Sequence, residues 1–185
     1  MREVWTRLER WLEANARPML GDLRPPAQRN KVVDVGVKLG VTFPEDFVDS
    51  YLIHDGQVEG SAPLVRSWEL LSLDKIVSEA RHLRDSWAKA PLPENVGDPD
   101  GPVKPLWWSD KWIPFGSNSE GDYACLDFDP DPGGQVGQII SYRHDDSSRK
   151  RTAPSLKAWL ESYADELEKG KYRYEDDMLI KNEEK

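Results

Sequence analysis

Three carboxylates at alternate positions, Asp127, Asp129 and Asp131, are the first place in this 185-residue chain to look for chemistry. The pattern D-x-D-x-D opens calcium loops, in which alternate side chains converge on a hard cation. Such a loop needs glycine at its sixth position for the sharp turn and a bidentate glutamate at its twelfth. Those positions hold Pro132 and Gln138, so an EF-hand is excluded. A looser divalent-metal site, and with it a carboxylate/metal-dependent enzyme built on the Asp127/Asp129 pair, stays as an alternative. The flanking prolines and glycines favour a simpler role: Asp127 and Asp129 end a strand, and Asp131 builds the turn after it.

Cys125 is the only cysteine, which excludes an internal disulfide and a multi-cysteine zinc site. A nucleophilic thiolate needs a basic partner, and none of His54, His82 or His144 sits in a recognisable companion motif. A mid-strand Cys125 reads as a packing residue. His54 beside Asp55 at a helix end reads as a cap for nearby carbonyls rather than as a proton-transfer pair. The run Gly133-Gly134-Gln135-Val136-Gly137 lacks the strand-then-helix setting in which glycines cradle a phosphate. No residue is assigned as catalytic or as a metal ligand, and no cofactor is expected. The chain reads as a non-enzyme.

These residues lie in the stretch 107–142, which reads as three short strands over 112–115, 123–129 and 135–143, separated by turn-forming residues. The middle strand alternates, with Ala124, Leu126 and Phe128 on one face and Tyr123, Cys125, Asp127 and Asp129 on the other. One face needs a core, and the other is expected to carry carboxylates. Amphipathic helices must supply the cover. Val4, Trp5, Leu8, Trp11 and Leu12 predict one over residues 2–16. A connection follows, and a second helix opening at Pro26 buries some of Val32, Val33, Val35, Val37 and Leu39 before Gly40 ends it. A third, about ten residues long, starts at Pro44, with Glu45 and Asp46 in the first turn, where the helix dipole favours negative charge. Trp68 to Leu71 reads as a short strand. Ser72 or Asp74 then caps a fourth helix through Leu73, Ile76, Val77, Ala80, Leu83 and Trp87. Seven prolines and glycines between 90 and 105 preclude regular structure there and predict a surface loop. A polar turn over 144–150 leads to a last helix near Ala153-Pro154-Ser155, with Leu156, Trp159, Leu160, Tyr163 and Leu167 as its stripe. The charged tail, 171–185, is expected to fray at its end. The fold class expected is α+β: a central, mostly antiparallel sheet flanked by helices, as a single domain over 1–170.

Composition narrows the partner. Hydrophobic residues make up 38% and charged residues 32% of the chain, ordinary values for a folded water-soluble protein. No apolar run approaches the roughly 18 residues of a membrane span. The N-terminus carries charges where a signal peptide would be apolar, so a cytoplasmic location is expected. The net charge of -9 repels a phosphate backbone, which argues against nucleic acid and for a basic protein partner. The eight tryptophans read as core and sheet-edge packing rather than as base-stacking platforms.

A family resemblance becomes specific on six segments taken in order. They are Leu39-Gly-Val-Thr-Phe-Pro-Glu-Asp-Phe, Tyr51-Leu-Ile-His-Asp-Gly, Trp112-Ile-Pro-Phe, Gly121-Asp-Tyr-Ala-Cys-Leu-Asp-Phe-Asp-Pro, Gly134-Gln-Val-Gly-Gln-Ile and Ala153-Pro-Ser-Leu-Lys-Ala-Trp-Leu. Together, over roughly residues 1–170, they resemble the SUKH superfamily, which includes the fungal cell-wall assembly regulator and bacterial immunity proteins. The resemblance implies an α+β fold with a mostly antiparallel sheet. It also implies an immunity protein that binds and neutralises a cognate toxin, often a nuclease, with a regulatory scaffold like the fungal member as an alternative. In the immunity reading Glu120, Asp122, Asp127, Asp129, Asp131, Asp145 and Asp146 face a basic toxin surface, and exposed aromatics at Trp107, Trp108 or Tyr123 act as anchors.

Overall fold

In the computed structural model, residues 1–89, 98–118 and 120–183 are described. Among the described residues, six helices flank a six-stranded sheet, and a separate two-stranded sheet follows. The predicted meander is its centre: β3 (Trp112–Ser117), β4 (Tyr123–Asp127) and β5 (Gln138–Tyr142) pair antiparallel in sequence order. The turn residues between them permit reversal, and the alternating apolar side chains fix the register, because a one-residue slip would turn Ala124 and Leu126 away from the core. β1 (Glu69–Leu70) joins antiparallel at one edge. That edge is covered rather than open: Gln57 N–H donates to Leu70 C=O at 2.7 Å, and the Gln57 side-chain oxygen accepts from Leu70 N–H at 2.8 Å.

Two segments expected to lack regular structure are strands. β6 (Ser148–Ala153) occupies the end of the predicted polar turn, and β2 (Asp98–Asp100) lies within the predicted proline-glycine loop. β2 pairs parallel with β6 at the far edge, where Pro99 is tolerated because an edge residue has one side free of ladder bonds. Residues 101–105 keep the expected irregular backbone, although Val103 is buried rather than on the surface, and 90–97 lie outside the described residues.

The helices follow their apolar stripes. α1 (Arg2–Asn15) buries Val4, Trp5, Leu8 and Leu12, and the Trp5 ring N–H donates to Ser50 Oγ at 2.9 Å. The expected connection contains a short helix, α2 (Arg17–Gly21), with Pro18 in its first turn. α3 (Arg29–Leu39) begins three residues later than the Pro26 start. It ends at Gly40, whose φ of 70° is the left-handed cap expected there. α4 (Glu45–Tyr51) is shorter than the predicted ten residues. α5 (Leu73–Trp87) starts at Ser72, whose hydroxyl accepts from Lys75 N–H, and α6 (Leu156–Glu168) starts in the same way at Ser155. Gly56 makes a close backbone approach. With φ at 69°, it sits where a Cβ would lie 2.5 Å from the Leu71 backbone.

The main core lies between these helices and one face of the sheet, where Ile113, Phe115, Ala124, Leu126 and Ile139 meet Phe47, Leu73, Ile76, Leu160 and Tyr163. The opposite face differs from expectation. It is also covered: Trp112, Tyr123, Cys125, Ile140 and Tyr142 form a second, smaller core with Leu83 and Val103, against which Trp87 and Trp108 pack. The charged tail also packs on the fold. β7 (Tyr172–Glu175) and β8 (Met178–Lys181) form a hairpin that returns Tyr172 and Leu179 to the main core. Apolar residues in a charged segment were enough to dock it.

Candidate functional site

The expected acidic face separates into two ends of the meander. In an antiparallel meander the β3–β4 and β5–β6 turns lie at one end and the β4–β5 turn at the other, about 13 Å away along β4 at roughly 3.3 Å per residue. Glu120, Asp122, Asp145 and Asp146 belong to the first end, and Asp129 and Asp131 to the second.

Asp127 faces neither surface, which corrects its expected role as a partner-facing carboxylate. It is fully buried. One carboxylate oxygen accepts from Asp129 N–H at 3.0 Å and the other from the Gln138 amide at 2.9 Å, and that amide also donates to Pro102 C=O at 2.8 Å. Burial pushes the Asp127 carboxyl up from its usual range, against the bonds that favour its charge. Asp129 is exposed but held by Lys104 Nζ at 2.6 Å. Asp127 and Asp129 therefore direct their oxygens to protein donors and do not converge on a shared position for a cation. Asp131 is exposed in the turn, where its C=O accepts from Gly134 N–H at 2.9 Å.

The three aromatic candidates are not the exposed anchors expected: Tyr123 belongs to the second core, Trp108 packs against it and Trp107 meets Trp87 edge-on. Tyr123 is buried and donates its hydroxyl to Glu79 at 2.7 Å. Trp107 and Trp108 are half-buried, and their ring nitrogens are enclosed. Trp107, Trp112 and Tyr142 surround the guanidinium of Arg149 at 5.4, 5.9 and 4.6 Å from their ring centres. Arg149 donates to the carbonyls of Trp107, Asp146 and Ser148. Ring quadrupoles and carbonyl dipoles take the place of a counter-ion, and burial lowers the Arg149 pKa. Cys125 is buried in the same layer, and burial pushes its thiol well up, away from the thiolate range a nucleophile needs.

At the first end a site does assemble. Asn118 shapes the β3–β4 turn by accepting from the N–H groups of Glu120 and Asp122 at 3.0 and 2.9 Å. This brings the Asp122 carboxylate under the next turn, where it accepts from the His144 N–H at 3.1 Å and lies 3.0 Å from His144 Nδ1. Burial pushes the Asp122 carboxyl up, but the two His144 bonds, Asn118 and the charge of Arg143 outweigh it and leave the carboxyl below its usual range. Arg143 Nε lies 4.0 Å from both Asp122 and Asp146. Asp146 caps the start of β6 by accepting from Ser148 N–H at 2.7 Å. Asp122, His144 and Asp145 place potential ligand atoms within 4.8 Å of one another. Asp122 spends that geometry on His144 itself, with Arg143 beside it, which suits a locked turn better than a cation.

This end of the sheet forms one wall of an open cleft of about 500 Å³, through Asn118, Glu120, Asp122, Ser141 and Arg143. The facing walls are Arg66, Ser67 and Trp68, and Met178 and Leu179 of the hairpin. Val65 and Trp68 exchange backbone bonds of 3.2 and 3.0 Å across a two-residue turn, so Arg66 takes a φ of 60°. Its guanidinium lies 5.6 and 5.4 Å from the Trp159 and Tyr163 ring centres and 3.2 Å from Glu166. Arg66, Arg143 and Met178 are absent from the sequence-based candidates. Nothing local marks Arg66, because the cleft exists only once the hairpin folds back. The His54–Asp55 reading is refined too: His54 bonds Glu9 at 2.7 Å and Arg24 C=O at 3.1 Å, while Asp55 accepts from Leu73 N–H at 2.8 Å.

Among the described residues no helix is long and apolar enough to cross a membrane. Residues 26–162 match the model of the SMI1/KNR4 family (SUKH-1). Over 95% of its length the chain is 29% identical to the cell wall biosynthesis/cell cycle regulator smi1 of Schizosaccharomyces pombe, covering 38% of that protein. It is 24% identical to the cell wall assembly regulator SMI1 of Saccharomyces cerevisiae, over 94% of this chain and 42% of that one. It is 23% identical to a glucan synthesis regulatory protein of Neurospora crassa, over 94% and 39% respectively. The chain thus spans about two fifths of the length of these relatives. All three are named as regulators, not as enzymes.

Proposed function

Because this chain belongs to the SMI1/KNR4 family (SUKH-1), we propose that it is a protein-binding regulatory module and not a catalyst. The observation that carries this reading is the turn-end cleft. Exposed Glu120 and Arg143, the half-buried Arg66 and the exposed Met178 line one concave surface with both charge signs and an apolar contact. Such a surface suits a protein partner with complementary charges around an apolar anchor. Arg66, Arg143 and Asp122 are held in pairs, and the buried Asp127 and Cys125 are occupied by packing, so the site offers a surface rather than an activated group. The names of the relatives favour a partner in cell-wall or glucan synthesis control over a secreted toxin. A cytoplasmic setting belongs to the same proposal.

A photo-crosslinking residue at Glu120, compared with one at exposed Glu13 on α1, tests this. The expected result is a protein adduct from position 120 only, with recovery falling at least about tenfold for Arg143→Glu, as loss of a charge contact at an interface produces. Identical adducts from both positions, or recovery unchanged by Arg143→Glu, would overturn the cleft as the binding surface. An adduct with a basic nuclease would restore the toxin-immunity reading in place of the regulatory one.

A further inference from the structure

The outer face of α3 carries an apolar pair that the fold leaves uncovered. Val32, Val35 and Leu39 enter the core, while Val33 and Val37, one turn apart, are 56% and 76% exposed. Exposed valines scattered singly need no explanation. These two adjoin a groove of about 210 Å³ between α3 and α4, lined also by Gly36, Val41, Thr42, Phe43 and Val48. Beside the pair, on the same flank of the helix, stand Asp34 and Lys38. The other cations of α3 are engaged, Arg29 with Glu45 and Asp49, and Lys31 with Asp55 and Asp74. Among the described residues neither Asp34 nor Lys38 has an ion-pair partner.

We propose that this face binds a second copy of the chain, with α3 packed antiparallel to α3 of the partner copy across a two-fold axis that passes between Val33 and Val37. The charges select this occupant. Across an antiparallel seam like flanks face each other, so Val33 meets the copy's Val37, and Asp34 meets the copy's Lys38 in both directions. A parallel arrangement would bring unlike flanks together and leave Asp34 and Lys38 without each other as partners. The apolar area is small beside the roughly 800 Å² per partner of a stable dimer, so the association is weak and reversible, with a Kd in the range of tens to hundreds of micromolar. It lies away from the cleft, so both surfaces can be used at once.

Sedimentation equilibrium on the whole chain tests the proposal. The weight-average mass should rise above the monomer value of 21.2 kDa as concentration approaches 1 mM. Val37→Glu should hold it at the monomer value, with circular dichroism unchanged because Val37 is exposed. Asp34→Lys and Lys38→Asp should each weaken association by about tenfold, and the double exchange should restore it to within about threefold, because the exchanged pair is again complementary across the axis. A chain that stays monomeric to 1 mM overturns the proposal. So does a dimer indifferent to Val37→Glu, or a double exchange no better than the single ones. A strictly monomeric chain that loses a different protein partner on Val37→Glu assigns the face to that partner instead.

Discussion

Asp127→Ala separates a structural carboxylate from a binding one. In the folded chain Asp127 ties the end of β4 to Gln138 at the start of β5 and, through Gln138, to Pro102 C=O. Truncation leaves Asp129 N–H and one Gln138 N–H without their acceptor. Hydrogen bonds to a charged acceptor contribute about 1.5–3 kcal/mol each, but removing a buried charge also relieves its desolvation, so the net loss is about 2 kcal/mol. For a chain of this size that lowers Tm by about 4–8 °C. The pH dependence has a definite sign. Burial raises the Asp127 pKa in the folded state, so the folded chain retains a proton that the unfolded chain has released. The stability this gives is complete below the unfolded carboxyl value of about 3.9 and is lost as pH rises through the raised folded value. The gap between wild type and Asp127→Ala is therefore widest in acid and narrows toward neutrality. Differential scanning calorimetry across this range measures it. A Tm change under about 2 °C at pH 7, or a gap that widens with pH, would refute the reasoning.

Gly56→Ala, which drives a Cβ to 2.5 Å from the Leu71 backbone at positive φ, should cost more than about 3 kcal/mol by chemical denaturation. Gly40→Ala, at similar φ in open space, should cost only about 1 kcal/mol; equal costs would contradict the close approach. Asp122 behaves opposite to Asp127: its depressed pKa gives stability that is present above the unfolded value and lost as pH falls through the folded one. Asp122→Asn should flatten the acid limb of the stability profile, and an unchanged limb would argue against the His144 lock. Cys125 should resist a thiol reagent in the native chain and react only on unfolding; native labelling at the unfolded rate would contradict its burial. Leu179→Ala should destabilise by about 2–3 kcal/mol, as truncation of a buried leucine does, and a neutral effect would mean that the hairpin is not docked.

Local patterns carried much of this. The meander, the Gly40 cap, the Ser72 start of α5 and the apolar stripe of α6 were legible because alternation, helical spacing and capping chemistry act over a few residues. Alternation along β4 separated the two faces correctly, placing Ala124 and Leu126 together and Tyr123 and Cys125 together. It could not say that the second face is also covered. That cover comes from Val103, Trp108 and the far end of α5, brought in from elsewhere in the chain.

The sequence by itself determined the meander, the main helices, the α+β class and the place of Asp131 in a turn, all of which rest on short-range geometry, while α2, β2, β6 and the tail hairpin carry no such local signal. Only the tertiary structure decided which carboxylates reach solvent. Asp127 shares its strand face with Tyr123 and Cys125, and that face was sealed, so a residue spaced like a surface acid became an internal fastener. It decided the cleft as well, because Arg66 and Met178 lie more than a hundred residues apart and meet only when the hairpin folds back. On α3 it chose Val32 and Val35 for the core and left Val33 and Val37 outside. A run of valines fixes no helix face until a neighbour packs against one side of it.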